Sequence, residues 1–121
     1  MSSLRFRKQD RLARPAEFRR VFDRRCSVSD SWLIVYGVPN DLDHCRLGLS
    51  VSRRVGPAVL RNRLRRLYRE AFRLSRAEMP VGFDLVLIPR SSAEPRLEDL
   101  RRSLPTLVCT LARRLARKEK A

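Results

Sequence analysis

Between Leu60 and Leu74 the chain interleaves leucines and arginines at helical spacing, and this stretch limits its folding choices more than any other. At about 100° per residue, Leu60, Leu64, Leu67, Ala71 and Leu74 fall on one arc, flanked by Tyr68 and Phe72. Arg61, Asn62, Arg65, Arg66, Arg69 and Arg73 fall on the opposite arc. One face must be buried against another element, and the other faces outward. Gly56-Pro57 precedes the segment, and proline suits a helix start because it lacks the N–H that would go unused there. The spacing predicts a helix from about Ala58 to Ala77, ended by Met79-Pro80-Val81-Gly82. A solvated helix face normally mixes signs, with acids three or four residues from bases. Here Glu70 is the sole acid, so the arginine arc calls for a polyanionic partner.

The whole chain has the same bias. It carries 28 Lys+Arg against 13 Asp+Glu, a formal charge of +15. Arginine supplies 25 of the 28, and its planar fork binds phosphate bidentately and stacks on bases, which lysine does not do. A membrane is the other common polyanion. No apolar run approaches the ~20 residues of a spanning helix, and the basic start Met1–Asp10 is not followed by the apolar stretch of a secretory signal. A cytoplasmic protein without a membrane partner is expected. Cys26, Cys45 and Cys109 are odd in number and widely spaced, and read as thiols packed in the interior rather than as a metal or disulfide set. His44, the single histidine, lies in a polar stretch beside acids and reads as solvated.

The 121 residues fit one domain, 1–121, with a basic arm at 1–13 and a tail at 117–121 expected to fray. Pro15 at a first helical position and Glu17 in the first turn predict a short helix to about Arg24, with Phe18, Val21 and Phe22 on one side. A short strand is expected near 27–29. Trp32–Val38 reads as a strand and Arg46–Ser52 as another, antiparallel to it through the loop at 39–45. Asp84–Ile88 is a near-continuous apolar run and reads as a buried strand. Leucines at 97, 100, 104, 107, 111 and 115 predict a last helix, kinked near Leu104 or starting at Pro105. The fold class is α+β: helices packed on a small sheet, in the order α-β-β-β-α-β-α.

The stretch from Gly48 to Phe72, centred on Arg61-Asn62-Arg63, resembles the signature of the protein subunit of bacterial ribonuclease P. Arg11-Leu12, the Phe18/Val21/Phe22 helix, Trp32–Tyr36 and Phe83–Ile88 extend the resemblance over most of the chain. It implies a ribosomal protein S5 domain 2-like fold with a left-handed βαβ crossover, against the usual right-handed rule. It implies an RNA-binding subunit of a ribonucleoprotein endonuclease that removes the 5′ leader of precursor tRNA. The RNA subunit would hold the catalytic centre and its Mg2+, so no catalytic or metal-binding residue is expected in this chain. By position, Arg53, Arg54, Arg61, Asn62, Arg65, Arg66 and Arg69 would bind the catalytic RNA, and Phe18, Phe22 and Tyr36 the leader. Arg24-Arg25-Cys26 departs from the family's pattern, which commonly has glycine soon after the first helix.

Three other readings share the charge. A structural RNA binder, such as a ribosomal protein, differs only in lacking the Arg61-to-Phe72 signature. A self-sufficient nuclease needs clustered carboxylates to hold ions, and the 13 acids form no convincing constellation beside the basic helix. A DNA reader needs an exposed helix that enters the major groove. DNA is not the expected partner.

Overall fold

The structure, a computed structural model, describes residues 6–90 and 94–120. It builds a four-stranded sheet in the order β1-β2-β4-β3 from β1 (Ser27–Ser29), β2 (Leu33–Pro39), β3 (Arg46–Leu49) and β4 (Phe83–Pro89). Helix α1 (Pro15–Asp23) lies on one face, and α2 (Ala58–Ser75) and α3 (Leu97–Lys120) lie on the other. The element order is the one the sequence predicts.

Strand alternation sorts the two cores. Leu33 and Val35 of β2, Leu47 of β3, and Leu85 and Leu87 of β4 point to α2 and α3, where they meet Leu64, Tyr68, Phe72, Leu104 and Leu111. Val38 and Val86 point the other way, to Val21 of α1 and to Leu12. This second core is small, and Phe18, Phe22, Tyr36 and Ile88 at its margin are only half-buried. The sheet therefore has one fully covered face and one open shoulder beside α1.

The expected antiparallel pairing of β2 with β3 does not form. β4 lies between them, antiparallel to β2 (Val35 opposite Leu87) and parallel to β3 (Leu47 opposite Leu85). The reason is burial. Leu85, Val86 and Leu87 are each 1% exposed or less, so β4 needs cover on both faces along its length, which the centre of the sheet supplies. β3, α2 and β4 thus make a βαβ unit, and this unit fixes α2 against the sheet.

Neither the kink nor the late start expected for α3 is a break in the helix. It runs from Leu97 to Lys120 with Pro105 inside. Leu104 and Val108, on either side of Pro105, are wholly buried and hold both halves. The missing N–H deprives only the carbonyl of Arg101, a residue on the exposed side where water can replace it. Of the 117–121 tail, residues up to Lys120 continue α3, with no helix breaker among 116–120, and Ala121 lies outside the described residues.

Of the basic arm, residues 1–5 lie outside the described residues. The remainder is docked. Asp10 is 2% exposed, accepts the backbone N–H of Arg7 at 2.8 Å, and takes Arg76 Nη2 at 3.3 Å. Phe6 meets the buried Phe72 edge-on at 5.8 Å. Leu12 N–H bonds to the carbonyl of Leu47, so the arm lies along the outer edge of β3.

Candidate nucleic-acid interface

Helix α2 is buried on a different arc from the one its leucines suggest. The buried residues are Leu64, Tyr68, Ala71, Phe72 and Ser75. Their centre is rotated about 65° from that of the leucine arc, by wheel arithmetic. Leu60 and Leu67 are half-buried against the core's margin. The rotation moves Arg61 to the edge of the buried sector, where its Nε donates to the carbonyl of Gly56 at 3.2 Å. Gly56 has φ 152°, a conformation in which a side chain would be strained, and its Cβ would sit 2.8 Å from Leu60. Glycine there lets the chain turn from the Arg53–Val55 3-10 turn into α2.

The arginines of the outer face differ in what they touch. Arg73 is paired with Glu70, its Nη2 2.5 Å from the carboxylate. Arg63 is paired with Glu94 at 3.1 Å, off the arc. Arg65 donates to Asn62 Oδ1 at 2.9 Å and to the carbonyl of Val51 at 3.4 Å. Arg66 and Arg69 make no ion pair with a carboxylate among the described residues. Asn62, Arg65, Arg66 and Arg69, with Val59, line one shallow groove. Burial, with Arg11 and Arg65 close by, pushes the Arg69 guanidinium below its usual range. Like charges held together without acids are stabilised by an incoming anion. Arg53 and Arg54, exposed in the turn that enters α2, continue the surface towards its N-terminal end.

Of the sequence-predicted set, Asn62, Arg65, Arg66 and Arg69 form one contiguous patch. Arg53, Arg54 and Arg61 border it, and Arg61 is partly engaged with its own backbone.

The aromatic residues lie on the other side of the arm. Phe22 and Tyr36 form an edge-to-face pair, centroids 5.0 Å apart, on the open shoulder of the sheet. Phe18 packs on Gly48, where a Cβ would come within 2.7 Å of its ring. Phe18 also lines a concavity with Arg11, Leu49, Arg65 and Arg69. The two surfaces that the sequence treats separately therefore meet at Phe18. Arg11 is a member that residue patterns alone did not assign to a site. The only available signal was its place in Arg11-Leu12, and its role depends on the arm docking on β3.

A charged knot fixes α1 in place. Asp84 of β4, wholly buried, accepts Arg46 Nε at 2.8 Å and Nη2 at 2.6 Å, Arg20 Nη1 at 3.0 Å and Asn40 Nδ2 at 2.9 Å. Arg46 Nη1 also reaches Glu17 of α1 at 2.9 Å. Its bonds to Asp84 raise the Arg46 pKa further above its usual range. Glu17 accepts the backbone N–H groups of Arg14 and Ala13, both at 2.9 Å, and these bonds hold its carboxyl below the usual range. Sequence placed Glu17 in the first turn of α1 but did not connect the knot's members, because its partners are up to 64 positions apart.

Among the described residues, no three of His, Cys, Asp and Glu gather as a metal site, and no helix is long and apolar enough to cross a membrane. Cys26 and Cys45 are buried and Cys109 is half-buried, all as free thiols. Burial pushes the Cys45 thiol up, away from reactivity. His44 bonds to Asp43 at 2.9 Å and is partly covered rather than fully solvated.

A family model described as Ribonuclease P matches residues 6–112. The chain is 49% identical over 89 residues to the ribonuclease P protein component of Methylococcus capsulatus, covering 73% of this chain and 69% of that one. It is 38% identical over 105 residues to that of Clostridioides difficile, covering 85% and 92%. Among solved structures, it resembles the ribonuclease P protein from Thermotoga maritima with a TM-score of 0.74 and 33% identity, covering 81% of this chain and 94% of that chain. It resembles the Staphylococcus aureus protein with a TM-score of 0.71 and 31% identity, covering 84% and 94%.

Proposed function

Because this chain belongs to the ribonuclease P protein family, we propose that it binds the catalytic RNA through α2 and the 5′ leader of precursor tRNA through the shoulder beside α1. Membership makes it a protein component of an endoribonuclease of tRNA processing, a component that works with the ribonuclease P RNA. The finer assignment is supported chiefly by one observation: the patch of Asn62, Arg65, Arg66 and Arg69 has no carboxylate in its groove and adjoins Phe18.

On this reading, phosphates of the catalytic RNA lie against Arg65, Arg66 and Arg69, with Arg53, Arg54 and Arg61 at the border. Guanidinium forks suit phosphate oxygens bidentately, and the amide of Asn62 offers donors to sugar or base. Phe22, Tyr36 and Phe18 present ring surface to an unpaired strand, where stacking contributes about 1–3 kcal/mol per base. The carboxylates of Asp84, Glu17, Asp10 and Glu70 are taken up by arginines and backbone N–H groups. They have a structural role, so we assign bond cleavage and the magnesium that supports it to the RNA.

The test is cleavage of precursor tRNA at low magnesium, with a bacterial ribonuclease P RNA present or absent. Cleavage only with both components supports the reading. Cleavage by the protein alone would locate the chemistry in this chain, and failure to stimulate the RNA would leave a structural RNA binder.

A further inference from the structure

The arginine-rich stretch Gly48–Phe72 ends before α3, yet α3 carries the second concentration of charge. Between Leu100 and Lys118 it has Arg101, Arg102, Arg113, Arg114, Arg117 and Lys118 and no acid. Its inward stripe is Leu100, Leu104, Leu107, Leu111 and Leu115, all buried. That fixes the opposite side. Arg102, Thr106, Arg113 and Arg117 fall within about 60° of one another, facing away from the leucines. All four are exposed. None of the three arginines makes an ion pair with a carboxylate among the described residues. Arg114, at the border of the stripe, donates to the carbonyl of Ser27 at 2.8 Å and ties this half of the helix to β1.

From this arrangement we propose that the outer face of α3 is a second RNA site, which takes the phosphate backbone of duplex RNA. The inference rests on the RNA-binding reading above, but on different residues. Single-stranded RNA is held by aromatic rings on which bases stack. The α3 segment Leu97–Lys120 contains no Phe, Tyr, Trp or His, whereas Phe18, Phe22 and Tyr36 gather on α1 and the opposite face of the sheet. Duplex RNA is recognised through phosphates and 2′-hydroxyls by shape, which needs spaced cations and small polar groups on a stiff element. Arg113 and Arg117 lie one turn apart, about 6 Å along the axis, and Arg102 about 16 Å further back. The first two suit neighbouring phosphates of one strand, and the third the far side of a groove. The hydroxyls of Thr106 and Thr110 donate to the carbonyls of Arg102 and Thr106, at 3.3 and 3.0 Å. Their oxygens remain free to accept from a 2′-hydroxyl. With α2 on one RNA segment and α3 on another, the protein would clamp two parts of a folded RNA.

The experiment uses the full chain with Arg65→Ala, Arg66→Ala and Arg69→Ala, so that the α2 patch is silent whether or not its assigned role is right. Binding of a 20-base-pair RNA duplex of arbitrary sequence and of a 20-nucleotide oligouridine is measured from 50 to 200 mM salt. We expect the α2-silent protein to keep duplex binding. Adding Arg102→Ala, Arg113→Ala and Arg117→Ala should reduce the salt slope by about 2–3, so that duplex binding loses about 40-fold less across that salt range. Oligouridine binding should change less than twofold, and the circular-dichroism spectrum should stay the same. Equal duplex slopes with and without the α3 substitutions would overturn the proposal and leave a solvated face. Equal losses on duplex and oligouridine would overturn the duplex assignment.

Discussion

Replacing Asp84 with alanine tests whether the charged knot, rather than the small second core, holds α1 on the sheet. The carboxylate is wholly buried and accepts four hydrogen bonds from three side chains. Its partners do not suffer equally when it goes. The Arg20 side chain is 48% exposed and keeps its bond to the carbonyl of Pro39 at 2.6 Å, so it returns to water at little cost. The Arg46 side chain is 23% exposed and keeps only Glu17. Breaking a buried pair by removing one member costs about 3–5 kcal/mol. With one partner able to escape, the lower end, ~3 kcal/mol, applies. At roughly 2.1 cal/mol/K per residue, a chain of this length unfolds with an entropy near 0.25 kcal/mol/K, so Tm should fall by about 12 °C. Thermal denaturation followed by circular dichroism at pH 7 measures this directly. Arg20→Ala should lower Tm by no more than about 4 °C, since a half-exposed pair contributes at most ~1 kcal/mol. A shift for Asp84→Ala within about 3 °C of zero, or one matched by Arg20→Ala, would refute the reasoning. Below its own Tm, Asp84→Ala should bind a leader oligonucleotide more weakly while keeping the salt slope for the catalytic RNA, because the knot positions α1 and not α2.

Gly48→Ala places a methyl within 2.7 Å of the Phe18 ring; overpacking of about 1–3 kcal/mol is expected in urea denaturation, and Gly48→Ala with Phe18→Leu should recover part of it. The backbone N–H groups of Arg14 and Ala13 hold the Glu17 carboxyl below the usual glutamate range in the fold, so its cap stabilises above that ordinary range and the effect is lost as pH falls through the folded value. The Tm advantage of wild type over Glu17→Gln, equivalent to about 0.5–1 kcal/mol at pH 7, should therefore close as pH falls below the usual carboxylate range; a constant gap would show that charge plays no part. Arg65→Ala, Arg66→Ala and Arg69→Ala together should lower the salt slope of catalytic-RNA binding by about three, whereas Arg73→Ala, already neutralised by Glu70, should change it by less than half a unit.

Local order was legible because it is written in short periods. The helical spacing of 58–77, Pro15 at a first turn and the β-branched run at 33–38 each place an element to within a residue or two. The arginine arc was legible for the same reason, since Glu70 is the only acid on a face where acids normally lie three or four residues from bases. What failed was pairing. A short loop after β2 suggested a hairpin, and sequence nearness outweighed a signal that was present. The run Asp84–Ile88 lacks polar alternation, which points to cover on both faces and favours the centre of the sheet over its edge. Similarly, the leucine arc of α2 showed which residues prefer burial but not that two neighbours, the sheet and α3, would share them. The helix turns until Tyr68 and Phe72 face the sheet side, and Leu60 and Leu67 move to the margin.

The insertion of β4 between β2 and β3 explains why the interface has its shape. With β4 at the centre, Asp84 becomes a buried carboxylate facing α1, and donors from distant parts of the chain must satisfy it. Arg20 and Arg46 do so, and Arg46 carries the connection on to Glu17 at the start of α1. Helix α1 is thereby held over β4, with Phe18 against Gly48 of β3. β3 leads through the Arg53–Val55 turn directly into α2. Phe18 therefore reaches the concavity of Arg65 and Arg69 because a strand 66 residues later in the chain took the central position. If the aromatic shoulder and the arginine face hold two RNA strands at once, their relative placement is set by the β3–β4 register. Perturbations of that register should uncouple the two binding activities before they abolish either one.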